Sequence, residues 1–276
     1  MATREINIGI NVHIDKTAEI NVDFLKIGSG TIIGPYVVIE GNRVTIGRES
    51  WFDRYAYIGG GSAFDPSASL TAGDFLHMGR NSHINTARGV VIGDEFGCGV
   101  ETKVFTHGAY ESELIGFPVT FGGVSIGDRV WMPNAWVNPN VKIGSNVVVG
   151  ARSLVNRDLP SGCLAGGTPC RVIRENCYPA ELTVDRKHAI LNQIIAESSE
   201  IAMAQGIANE QAKFEIDDEC KNLLVGETVF DLTGRTIGGE VTPWTEVVKN
   251  QLRRHGIRFK YRALDRVYVS WDESGY

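Results

Sequence analysis

The chain has 276 residues, enough for one large domain or two smaller ones, and its 43% apolar and 22% charged content is ordinary for a globular protein. A formal net charge of −6 and the lack of a long basic run exclude nucleic acid as a partner, because neutralising phosphates takes a cationic surface. No run of 18 apolar residues predicts a membrane span, and the opening "MATREINIGIN" lacks the apolar core of a signal peptide.

The chain then counts in sixes. Ile8, Ile14 and Ile20 are evenly spaced, as are Ile27, Ile33 and Ile39, and then Ile46, Phe52, Ile58, Phe64 and Leu70. Met78 and Ile84 keep the step, followed by Ile92, Cys98 and Val104. It resumes at Ile126 and Met132 and again at Val137, Ile143, Val149 and Val155. The residue after each is usually Gly, Asp or Asn, as at Gly28, Gly34, Gly47, Gly59, Asn85, Gly93, Gly127 and Gly144. A helix repeats every ~3.6 residues and tolerates few glycines, so the period is not helical. Ordinary hairpins need a spacing nearer 8–12. A six-step fits a very short strand and a corner with one aliphatic pointing inward. Three such faces close a coil of about eighteen residues, and Gly, Asn and Asp supply the corner backbone angles. Coils stacked at the β spacing from 6 to 166 number about nine and rise roughly 40 Å.

The sixes stop near Pro160, and residues 176–276 read as a small α+β appendage after a repeat domain of residues 1–175. A helix is predicted from Val184 to Gln205, with Thr183 before it, Gly206 after it, and Leu191, Ile194, Ile195 and Ile201 on or near one face. Strands are expected at "AKFEI" and "GETVFDL", with "TGRTIGGE" as turn chemistry. "TPWTEVVKNQLRRHG" reads as a second helix capped by Thr242 with Pro243 at its first position. "IRFKYRAL" and "RVYVSW" alternate like strands. The five cysteines, Cys98, Cys163, Cys170, Cys177 and Cys220, are odd in number and form no CxxC pair, which reads as free thiols in a reducing cytoplasm.

The hexapeptide pattern resembles that of the left-handed β-helix acyltransferases, and the handedness comes from that resemblance. The run from Val130 to Glu175, "VWMPNAWVNPNVKIGSNVVVGARSLVNRDLPSGCLAGGTPCRVIRE", is similar to the C-terminal half of their sugar and xenobiotic O-acetyltransferase branch. The carrying features are the VW opening, the IG, VVVGA, SLV and DLP progression, and the G-x-P-x-R-V-I-R ending. The resemblance covers residues 6–175 in architecture and 104–175 in motif detail. It implies acetyl-CoA as co-substrate, a homotrimer with sites between subunits, and a small-molecule or polysaccharide-precursor acceptor.

His107 stands alone in the irregular loop "VFTHGAYESELIGFPVTF", between two regular segments. The resemblance places the general base there, and imidazole suits the task because its ordinary pKa lies near working pH. Glu111 and Glu113, with Glu101 as a third, are candidates for a carboxylate that orients the ring. The family pattern carries coenzyme contacts onto Asn134, Ala151, Asn156, Arg157, Arg171 and Arg174, the arginines suited to phosphate. Trp131 matches a recurrent tryptophan. Asn85, near the position of an acceptor-touching asparagine, and Tyr110, a stacking surface for a sugar ring, are the acceptor candidates. The sequence departs from the pattern at Gly108, where many relatives have Pro, at Arg152, where Gly is common, and at Arg157, where Lys is frequent. Trp51, Phe52 and Trp136 offer aromatic contacts between subunits or in the core.

An aminosugar N-acetyltransferase would use the same base and groove. A γ-class carbonic anhydrase would need three convergent histidines. His77, His83 and His107 are available, but the six-step puts the first two on different faces, so no metal is expected. A third alternative is a β-helix serving as a binding scaffold.

Overall fold

A computed structural model describes residues 4–207 and 213–270. The chain divides into two compact units, the break falling between Ala180 and Glu181.

The first unit is a parallel β-helix, its short strands stacked in three columns. One face runs through Glu5–Ile8, Ser69–Ala72, Val90–Ile92, Val124–Ile126 and Lys142–Ile143. A second holds His13–Ile14, Ile32–Ile33, Trp51–Phe52, His77–Met78, Gly97–Cys98, Val130–Met132 and Val147–Val149. The third holds Tyr57–Gly59, His83–Asn85, Lys103–Val104, Trp136–Val137 and Leu154–Val155. Glu19–Ile27 and Val38–Ile46 bend through a corner unbroken, so the first and third faces join as one sheet. Register stacks like on like. Ile39, Ile58, Ile84, Val104, Val137 and Val155 are successive partners, each fully buried. Ile27 pairs with Ile46 and Ile8 with Ile27, so these coils take nineteen residues rather than eighteen.

Two members of the six-count fall outside the core. Ile8 is exposed on the first coil, which has no described strand below it. Phe64 is exposed because "GGGSAFDPS" leaves the coil as a turn, with Ala63 buried in its place. This excursion, residues 60–68, is the first of two. The second follows His107 and returns at Thr120–Phe121 as a short antiparallel pair.

The glycines after the inward aliphatics act by size. Gly28, Gly47, Gly93, Gly127 and Gly144 are not among the residues with positive φ. A Cβ on Gly93 would lie 2.1 Å from Asp128 Oδ1 and 2.9 Å from Asp128 N, on the next coil. That carboxylate accepts from Asp94 N (2.9 Å), just as Asp94 Oδ1 accepts from Asp74 N (2.8 Å) and Asp74 Oδ1 from Arg48 N (2.7 Å). The left-handed corner positions are instead mostly non-glycine, including Glu49, Glu95, Arg129 and Arg152. Each donates its N–H to the preceding coil, as Glu95 does to Asp74 O and Arg152 to Asn134 O, both at 2.8 Å. These bonds offset backbone strain of roughly 1–3 kcal/mol per residue.

The second unit has its own apolar core. Helix α1, Val184–Ala204, is capped by Thr183, whose hydroxyl accepts from Arg186 N, and it buries Leu191, Ile194, Ser198 and Ala202. Helix α2, Pro243–Arg254, starts with a capping box of Thr242 and Thr245 and packs against α1. A six-stranded antiparallel sheet accompanies them. The expected strands appear at Phe214–Ile216, Thr228–Asp231, Tyr261–Leu264 and Val267–Ser270, while Ala212 and Trp271 of the expected stretches lie outside the described residues. Asn222–Val225 is an additional strand. Thr236–Glu240, expected as turn, is also a strand: only its leading residues turn, and Ile237 is buried against the core. No described helix is long and apolar enough to cross a membrane.

Ile58→Ala should cost about 2–5 kcal/mol in denaturant unfolding of the first unit, since its stacked partners Ile39 and Ile84 prevent collapse of the cavity. Gly93→Ala should cost about 1–3 kcal/mol by forcing neighbouring coils apart. Gly108→Ala, with nothing within 4 Å of the added carbon, should change stability by less than about 0.5 kcal/mol in the same assay.

Candidate functional site

The two excursions leave the same corner of the coil, between the third and first faces, and His107 sits between them. Gly59 and Gly60, with φ of 133° and 104°, start the lower one. A Cβ on Gly60 would lie 2.8 Å from Asn85 Nδ2, so a side chain there would displace the amide beneath His107. Gly60 N donates to Glu40 Oε1 at 3.3 Å, and Tyr57 donates its hydroxyl to the same oxygen. Burial first, and then Glu40, pushes the Tyr57 phenol up to about 12. Asn42 holds the rest of the excursion through Ala63 O (2.7 Å) and Asp65 O (3.0 Å).

Asn85 is the hub. It is 1% exposed, and its Nδ2 donates to Gly59 O at 3.1 Å. Its Oδ1 accepts from Ala87 N at 3.3 Å and from the Thr106 hydroxyl at 2.7 Å. A backbone donor on one side and a carbonyl acceptor on the other fix which end of the amide is oxygen. His107 Nδ1 lies 2.9 Å from that Oδ1 and must therefore carry a proton to donate. Among the described residues none is bonded to Nε2. Gly61 lies beside that edge: its absent Cβ would be 3.8 Å from both Nε2 and Cε1, so the approach stays open.

The imidazole stacks on Phe121, its cross-strand partner, with centroids 5.7 Å apart and planes 17° from parallel. Arg88 covers Phe121 at 4.6 Å and pairs with Asp65 of the lower excursion at 3.4 Å. His83 stacks on Tyr57 at 4.5 Å and reaches Gly59 O with Nε2 at 3.3 Å. Because a carbonyl only accepts, His83 carries its proton on Nε2, and burial holds its imidazole below the usual range, favouring the neutral form.

The structure brings only part of the expected set to this point. Asn85, expected at the acceptor, lies beneath His107 as its hydrogen-bond partner. No carboxylate among the described residues is bonded to His107: Glu111 and Glu113 lie exposed on the excursion, and Glu101 accepts from Asn134 Nδ2 at 3.3 Å at another corner. Tyr110 is 97% exposed on the same excursion as His107. Arg88, Phe121, Thr106 and Gly61 are additions. The signal for the lower excursion was masked, because Phe64 happens to keep the six-count.

A second feature lies at the corner between the second and third faces. A groove of about 320 Å³ is lined by Glu101, Asn134, Trp136, Arg152, Leu154 and Thr168. Ala151 is exposed beside Arg152. Asn156 and Arg157 are exposed after Leu154–Val155, and Arg171 and Arg174 lie exposed on the closing strand, paired with Gly166 and Leu164. Trp131 is half exposed and lies over Gly97, where a Cβ would be 2.3 Å from its ring. Trp51 and Trp136 are surface aromatics, whereas Phe52 is core. His77 stands on the second face and His83 on the third, and no described group of three His, Cys, Asp or Glu residues is arranged to hold a metal.

No protein-family profile matches the chain. Among curated proteins, the galactoside O-acetyltransferase of Escherichia coli is 34% identical over 137 residues, 45% of this chain and 65% of that protein. The putative colanic acid biosynthesis acetyltransferase WcaF of E. coli is 32% identical over 107 residues, 38% and 58% of the two chains. A putative acetyltransferase of Saccharomyces cerevisiae, YJL218W, is 35% identical over 115 residues, 40% and 58%. The chain thus spans less than two thirds of the length of these relatives. Similar solved structures include a hexapeptide-repeat acetyltransferase from Vibrio cholerae complexed with acetyl coenzyme A, at 24% identity, covering 54% of this chain and 70% of that one, with a TM-score of 0.36. Another is a galactoside acetyltransferase in complex with coenzyme A, at 25% identity, 55% and 64% coverage, and a TM-score of 0.36. Along its coil the chain is thus similar to acetyltransferases, the galactoside O-acetyltransferase and WcaF among them.

Proposed function

We propose that the chain transfers an acetyl group from acetyl-CoA to a hydroxyl of a sugar-like acceptor, with His107 as general base. The observation that carries this reading is the tautomer of His107: Asn85 holds a proton on Nδ1, which leaves Nε2, on the edge beside Gly61, to act as the base. The acceptor oxygen attacks the thioester carbonyl as Nε2 takes its proton. The tetrahedral intermediate collapses, the C–S bond breaks, and Nε2 returns the proton to the departing sulfur. No covalent enzyme intermediate is needed. Asn85 orients the ring as a neutral amide, the positioning job a carboxylate does in triads. Tyr110, exposed on the same excursion, offers a face for the sugar ring.

Acetyl-CoA would lie along the corner groove, with Asn134 and Ala151 beside the pantetheine and Trp131 near the thioester. Asn156, Arg157, Arg171 and Arg174 would meet the phosphates, and the exposed arginines have N–H groups to give. The family resemblance supports a left-handed coil and a homotrimer with sites between subunits, and the free thiols suit the cytoplasm.

The test is thiol release from acetyl-CoA over sugars, nucleotide sugars and aminosugars. Release should require an acceptor and fall at least ~100-fold in His107→Ala. Undiminished turnover in that variant would remove His107 from the chemistry, and turnover with amines alone would make the enzyme an N-acetyltransferase. Asn85→Ala should lower kcat about 100-fold, with the KM for acetyl-CoA changed by less than about twofold, because it frees the tautomer without touching the coenzyme.

A further inference from the structure

A hydrogen bond at Nδ1 fixes one atom of the His107 ring but leaves its plane free to tilt. The second restraint is Phe121, stacked at 5.7 Å. Phe121 is itself 41% exposed, on a two-residue strand at the end of an exposed excursion, and its own neighbours on that excursion give it little support. Arg88 supplies the support. Its guanidinium lies 4.6 Å from the Phe121 centroid, and its Nη1 is held by Ala87 O at 2.6 Å and by Asp65 Oδ2 at 3.4 Å. Arg88 also reaches the imidazole by a second route. Its backbone N–H donates at 3.1 Å to the Thr106 hydroxyl, which in turn donates to Asn85 Oδ1.

We infer that Arg88 is a positioning residue for His107, acting through Phe121 and tying the lower excursion to the one that carries the base. The inference rests on His107 being the base. An exposed ion pair such as Arg88–Asp65 contributes little stability by itself. A cation over an aromatic face adds about 0.5–1 kcal/mol, enough to bias the placement of a half-exposed ring. Positioning errors of about 1 Å cost up to ~100-fold in rate, so a small bias is magnified in turnover.

The test combines kinetics with the nuclear magnetic resonance of the His107 ring. Arg88→Ala and Phe121→Leu should each lower kcat about tenfold, with the KM for acetyl-CoA changed by less than about twofold. The double variant should be no slower than the worse single one, because both act on one ring. Arg88→Lys keeps a cation near the ring and should recover part of the loss. In wild type the His107 Hε1 resonance should be displaced by the Phe121 ring current, and Arg88→Ala should reduce that displacement. Losses that multiply in the double variant, or a resonance that does not move in Arg88→Ala, would overturn the inference. If wild type turns over no acceptor, the proposed function fails, and the resonance still decides whether Arg88 holds Phe121 on His107.

Discussion

Neighbouring coils of a parallel β-helix stand one strand spacing apart, about 4.8 Å, and every corner must respect that distance. The corner ladder shows how the chain meets it. Asp74, Asp94 and Asp128 each accept with a side-chain oxygen from an N–H of the coil before, and a Cβ on Gly73 or Gly93 would fall on the oxygen of Asp94 or Asp128. Glycine is needed there for closeness. The left-handed turn falls two residues later, on residues such as Glu95, whose N–H bonds to the preceding coil and offsets the strain. The same spacing stacks Ile39, Ile58 and Ile84 into a column without gaps.

The candidate site lies where this regularity is set aside. Both long excursions leave from one corner, two coils apart with His83–Asn85 between them, so their bases are held by rigid strands while their outer parts are not bound by the six-step. The cost is a set of backbone polar groups without ladder partners. Asn42, Glu40, Asn85 and Thr106 satisfy them, and the bonds that anchor the excursions also orient His107. Structure and chemistry share one polar network. A residue such as Thr106 thus belongs to both, accepting from the Arg88 backbone and donating to the amide that holds the imidazole.

The second unit is built on different terms. Its helices and antiparallel sheet bury a separate core around Leu223, Phe230, Trp244 and Tyr268. Tyr268 shows how a polar group is kept in that core: its hydroxyl donates toward Glu246, and burial drives the phenol well above its ordinary range.

The repeat was legible in the sequence because inward aliphatics recur at a period only a stacked coil can use, and the helices because Thr183 and Thr242 announce their starts. Where the period broke at His107, the sequence marked the upper excursion. It did not mark the lower excursion, since Phe64 keeps the count while pointing outward, nor the strand Thr236–Glu240, where glycines resemble a turn. The sequence by itself determined the coil, its core and the placing of a lone histidine outside the pattern, because those follow from local periodicity. Only the tertiary structure decided that Asn85 rather than a glutamate holds His107, and that Arg88 and Phe121 stand beside it. Those contacts join residues on different coils and on the excursions, outside the six-residue period, so periodicity does not encode them.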